Sequence, residues 1–146
     1  MSDTSRRELE QLIEERVAAV RRHDSATLLQ QHDDQVLTFP LLPPTASRGR
    51  EAIGASLDRW FEGYADGPGY EVHDLVVEAG DDLGCCAFFY HVTGKLTTDD
   101  VVDMWVRSTV VFRRQDEGWR IVHAHESVPF DAVSGRALIS ESPPEL

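Results

Sequence analysis

Apolar residues recur three and four positions apart at the start of the chain. Leu9, Leu12, Ile13, Val17 and Val20 fall on one stripe of a helix over residues 4–22. Glu8, Glu10, Glu14 and Glu15 sit in its first half and Arg21 and Arg22 at its end, the order a helix dipole favours. Asp24 or Ser25 caps a short second helix carrying Ala26, Leu28 and Leu29, which ends near Asp33-Asp34. A strand over 35–39 stops at Pro40. Residues 41–47, with Pro43-Pro44, read as a rigid non-helical crossing. Gly49 caps a third helix over 50–63, with Ala52, Ile53, Leu57, Trp60 and Phe61 on its buried side. The stretch ADGPG at 65–69 predicts a break.

Beyond that break the period changes from helical to alternating. Strands are predicted over 70–79, 83–95, 101–114 and 119–128, joined by short turns at 80–82, 96–100 and 115–118. Short turns imply antiparallel pairing. Helices at one end of the chain and long strands at the other imply an α+β fold, with about three helices laid on a curled antiparallel sheet as a cone-shaped barrel around a pocket. Residues 1–131 form this one domain, and 132–146, ending in SPPEL, are expected to be a flexible tail.

Composition narrows the partners. The hydrophobic fraction of 41% and charged fraction of 27% are those of a soluble globular chain. Against 26 acids stand 14 bases, for a net charge of −12 with no Lys/Arg run, a poor match to nucleic acid or an anionic membrane. No apolar run approaches the roughly 20 residues of a membrane helix. The charged first residues show no secretory signal. Cys85 and Cys86, neighbours on a strand, point to opposite faces, so reduced thiols and a cytoplasmic location are expected.

Candidate chemistry concentrates on the last two strands. Asp103, Trp105 and Arg107 alternate on the first, and His123, His125 and Ser127 on the second, so strand parity can set all six on one wall. An arginine binds a carboxylate or enolate oxygen through two N–H groups, and an imidazole moves a proton at neutral pH. Asp103, Arg107, His123 and His125 are therefore the candidate catalytic residues. Phe39, Trp60, Tyr64, Tyr90, Trp105 and Ser127 are the candidate substrate contacts, apolar walls with few polar groups. The His-x-His pair lacks a defined third ligand, His91 and Asp103 being the conceivable ones, and neither metal nor cofactor is assigned. The alternate face, with Val102, Met104, Val106, Val110 and Phe112, is apolar. Two usable sheet faces suggest a homodimer formed sheet to sheet.

The stretches VLTFPLLPP (36–44), RGREAI (48–53), DMWVRSTVVFRR (103–114) and GWRIVHAHESVPFD (118–131) resemble the SnoaL-like branch of the superfamily that contains nuclear transport factor 2 and the ketosteroid isomerases. The resemblance covers about residues 5–131. It implies the cone fold and a small-molecule pocket serving an acid–base isomerase, cyclase or dehydratase acting on a cyclic or carbonyl-bearing metabolite. The alternative is a non-catalytic binding module, since fold alone does not choose between them. The isomerases carry an acid before the proline that ends the first strand, where this chain has Phe39. Many SnoaL-like relatives carry one just after the aromatic residue, where it has Pro40. The isomerase oxyanion tyrosine of the first helix aligns with Arg16 or Val17, so steroid isomerase activity is not expected.

Overall fold

A computed structural model describes residues 2–146. Helices α1 (Ser2–Arg21) and α2 (Ser25–Gln30) lead into strand β1 (His32–Phe39). A two-residue strand β2 (Ser47–Arg48) and helix α3 (Arg50–Glu62) follow. Strands β3 (Tyr64–Ala79), β4 (Leu83–Leu96), β5 (Val101–Gln115) and β6 (Gly118–Ser127) complete the fold. The α+β reading holds. The sheet has six strands in the order β2-β1-β6-β5-β4-β3, an antiparallel meander from β3 to β6 with β1 running parallel to β6. No helix among the described residues is long and apolar enough to cross a membrane.

Two local expectations are corrected. The ADGPG stretch does not interrupt the chain but lies inside β3, where bulges absorb it. This is possible because β3 is an edge strand, so Pro68 costs no ladder bond on its open side. The first strand begins three residues early, at His32, and the crossing at 41–47 ends in β2, which pairs with β1 through Leu37–Arg48 and Thr38–Ser47. The chain after Ser127 folds back. Phe130 bridges to Ala137, Leu138 N–H donates to the Pro129 carbonyl, and Trp105 N–H donates to the Ile139 carbonyl at 2.8 Å. Strand β6 stops opposite Arg107, which leaves the start of β5 open on the side away from β4, and residues 137–139 cover it there.

The helices cover one face of the sheet. Along β4 that face carries Cys86, Phe88, Tyr90 and Val92, and along β5 Val106, Ser108, Val110 and Phe112, all buried. Leu9, Ile13 and Val20 of α1, also buried, pack against them. Two clamps fix α1 over the sheet. Arg114 donates to Ser5 Oγ and Glu8 Oε1 at 3.1 and 3.0 Å and lies over the Trp119 ring, while Arg21 Nε donates to the Tyr70 carbonyl at 3.0 Å. The buried Cys86 thiol is pushed up to about 12 by desolvation, which leaves no reactive thiolate.

Candidate functional site

The six chemistry-bearing residues of the β5–β6 hairpin do share a face, but it is the one turned away from the helices. Asp103, Trp105 and Arg107 occupy the positions that alternate with half-buried Met104 and with buried Val106 and Ser108. A bulge between Ile121 and His123 shifts the phase of β6, so that Trp119, Ile121, Ala124 and Glu126 face inward and His123, His125 and Ser127 outward. The expectation that this stripe is a wall of the enclosed cavity is corrected on that ground. On the outer face Arg107 Nε donates to Ser127 Oγ at 3.1 Å, and Asp103 meets His91 rather than Arg107. The rings of His123 and His125 lie 4.9 and 5.4 Å from that of Phe39, edge to face, and His123 Nδ1 is 2.8 Å from the Leu37 carbonyl.

Of the expected substrate contacts, Trp60, Tyr64 and Tyr90 lie on the helix side. Tyr90 is almost fully buried, with Tyr70 beside it at 4.8 Å between centroids, and Trp60 stands edge-on to Tyr64 and Tyr70 at 6.3 Å. Phe39, Trp105 and Ser127 lie on the outer side.

Inside the cone the structure assembles four polar residues, of which only Tyr90 was singled out from sequence. Arg16 comes from α1, Tyr70 from β3, Tyr90 from β4 and Glu126 from β6. The Tyr90 hydroxyl donates to Glu126 Oε2 across the intervening strand β5. Arg16 interacts with Tyr70, Tyr90 and Glu126. Burial works against its charge, but Tyr70 and the Glu126 carboxylate outweigh that and hold the guanidinium firmly protonated. Desolvation, then the Glu126 charge, lifts the Tyr90 phenol well above its ordinary range, and desolvation lifts Tyr70. Both phenols therefore remain donors at neutral pH. Arg16 Nε and the Tyr70 hydroxyl are buried and lack a hydrogen-bond partner of ordinary geometry among the described residues. Such groups carry a desolvation cost that a ligand oxygen would relieve.

A sequence signal for Arg16 exists. Leu9, Ile13, Arg16 and Val20 are spaced four, three and four, so the arginine occupies a core position of the helix stripe. Glu126 was hidden by the bulge. Tyr70 had no mark beyond alternating with Val72 at the start of a strand.

A groove of about 790 Å³ lies between α1 and β3, outside the four-residue cluster. It adjoins the cluster: Ile13 and Val17, which line it, flank Arg16, and Val72 shares a strand face with Tyr70.

The model of the SnoaL-like domain family matches residues 9–131, and the chain belongs to that family. Among solved structures it is similar to a nuclear-transport-factor-2-like protein of unknown function from Pseudomonas putida, at 27% identity over 98% of this chain and 99% of that one, with TM-score 0.89. It also shares its fold with a proposed dehydratase of the same superfamily from Streptomyces avermitilis (18% identity, 88% and 99% covered, TM-score 0.76). A ketosteroid isomerase-like protein from Erwinia carotovora has the fold as well (18% identity, 81% and 91% covered, TM-score 0.68). No curated protein sequence matches the chain.

Proposed function

We propose that this SnoaL-like chain is a small-molecule enzyme of the acid–base isomerase, cyclase or dehydratase type, acting on a cyclic or carbonyl-bearing metabolite inside the cone. The observation that carries the reading is the pair of buried groups that lack a hydrogen-bond partner of ordinary geometry, Arg16 Nε and the Tyr70 hydroxyl, beside each other and the Tyr90–Glu126 pair. In this reading Glu126 replaces the hairpin histidines as the proton-transfer group. Its carboxylate takes a proton from the carbon next to a carbonyl and returns it at another position. The electron pair of the broken C–H bond moves onto the carbonyl oxygen, and Arg16 and Tyr70 hold the resulting enolate. Tyr90 orients the carboxylate. The place where the steroid isomerases keep their oxyanion tyrosine aligns with Arg16 or Val17, and the first of these alignments supports an oxyanion role for Arg16.

The test is deuterium uptake into a panel of cyclic enones in D₂O, followed by NMR. Wild-type protein accelerates exchange at the carbon next to the carbonyl, and Glu126→Gln removes about 10²–10⁴-fold of that rate. A second reading, a binding module without chemistry, is favoured by Phe39 and Pro40 standing where relatives carry an acid. It prevails if a ligand binds in the cone and no exchange is accelerated.

The outer sheet face is read as the contact of a homodimer. Exposed Val76 and Phe39 lie on it, and a dimer would cover them. Sedimentation equilibrium then gives twice the 16.4 kDa of one chain, and a mass of one chain at micromolar concentration removes this part of the reading.

A further inference from the structure

We propose that Glu71, His73 and His91 form a binding site for a zinc-type divalent cation on the outer face of the sheet, separate from the interior cluster. Glu71 and His73 alternate on β3, and the register sets Glu71 opposite His91 on β4, which in turn faces Trp105 on β5. Their donor atoms all lie within 4.8 Å of one another. Glu71 Oε1 is 3.8 Å from His73 Nε2 and 3.7 Å from His91 Nδ1. Donors about 2.0–2.1 Å from a tetrahedral zinc are separated by about 3.3 Å, so a contraction of about half an ångström closes these two contacts onto a metal.

Three further features orient the rings. His91 Nε2 lies 2.5 Å from Asp103 Oδ1, which leaves Nδ1 facing Glu71. A carboxylate on the far nitrogen of a ligating imidazole is the arrangement that fixes its tautomer and raises its basicity. The indole of Trp105 stacks on His91 at 4.2 Å with the planes 2° apart and leans on His73 at 4.9 Å, so neither ring turns freely. His73 Nε2 is a buried nitrogen with no hydrogen-bond partner among the described residues, and Glu71 is the nearest charge given for it. The ion pair with Glu71 reaches that nitrogen only at 3.8 Å and leaves it without a hydrogen bond. A cation uses it.

Two imidazoles and one carboxylate are a donor set for zinc, and also for cobalt or nickel, rather than for calcium or magnesium. Three protein ligands leave a fourth position for water. The site would also tie edge strand β3 to β4. The His123–His125 pair offers no comparable set, because His123 Nδ1 already faces the Leu37 carbonyl and the two rings are 6.5 Å apart.

The experiment titrates chelator-treated full-length protein with Co²⁺, reading its visible absorption, and then displaces the Co²⁺ with Zn²⁺. Saturation at one equivalent per chain is expected, with loss of the visible band when zinc is added and an upward shift of the thermal midpoint in zinc. His73→Asn and Glu71→Gln abolish stoichiometric uptake; Glu71 is more than half exposed, so the second variant keeps its fold. Asp103→Asn, which touches only the far nitrogen of His91, weakens affinity about 10–100-fold. His125→Ala leaves it unchanged. Failure to saturate at one equivalent overturns the proposal, as does uptake that survives Glu71→Gln and His73→Asn or disappears with His125→Ala.

Discussion

The Tyr90 hydroxyl donates to the Glu126 carboxylate over the top of β5, joining two strands that do not pair with each other. The bond is charge-assisted and partly buried, so its removal leaves a carboxylate oxygen without its hydrogen-bond donor. Tyr90→Phe is therefore expected to cost about 2 kcal/mol of folding stability. Glu126→Gln keeps an accepting oxygen and costs about 1 kcal/mol or less. Urea unfolding of both variants checks the ordering, and equal losses would contradict it.

Tyr70 behaves in the opposite sense. Its hydroxyl is buried beside the Arg16 guanidinium with no hydrogen-bond partner of ordinary geometry, so the free protein already bears part of the desolvation cost. Tyr70→Phe is expected to raise stability by about 1 kcal/mol while weakening the binding of any oxyanion ligand. Unfolding and ligand titration on the same preparation test both halves.

His32 sets the acid limit of the fold. Burial, with the nearby Arg16 charge, lowers its imidazole from 6.5 to about 4, and its Nδ1 lies 2.7 Å from the Leu28 carbonyl. Below about pH 6.5 the unfolded chain takes up a proton at His32 that the folded chain refuses until about pH 4. Stability is thus fully present above that window and falls as the pH drops through it, by about 3 kcal/mol in total. His32→Gln is expected to flatten the dependence between pH 6.5 and 4. Arg16→Met is expected to reduce it, because the charge that opposes protonation is gone. Unfolding free energies at pH 7 and 4.5 measure both.

Gly94 makes the edge of the sheet possible. A Cβ there would stand 2.5 Å from the Asp66 carbonyl and 3.0 Å from the Tyr64 ring, and its φ is +149°. Gly94→Ala is expected to cost about 2 kcal/mol or more by displacing the bulged start of β3. A thermal midpoint equal to wild type would show that the bulge relaxes freely.

Much of this architecture is legible in the residues, because its signals are periodic. The stripe of α1, the buried side of α3 and the alternation of four long strands each follow from burial on one face. The inward direction was less legible. Even positions of β5 from Val102 to Phe112 are apolar except Ser108 and mark the core, yet the odd positions hold the residues that look chemical. The extra residue at Val122 then moves Glu126 inward, and no local pattern announces a bulge there. Arg16 could be recognised only by weighing a charge at a stripe position as a feature rather than an exception. The ADGPG stretch carries every mark of a loop, and only its place at a sheet edge lets it remain strand.

The central claim, that the cone's interior receives an oxyanion, is tested most directly with 4-nitrophenol, whose absorbance reports its ionisation. Wild-type protein should bind it saturably and shift its ionisation to lower pH, through Arg16 and Tyr70, and Arg16→Met should abolish the shift while remaining folded. Absence of saturable binding, or the same shift in Arg16→Met, would contradict the account.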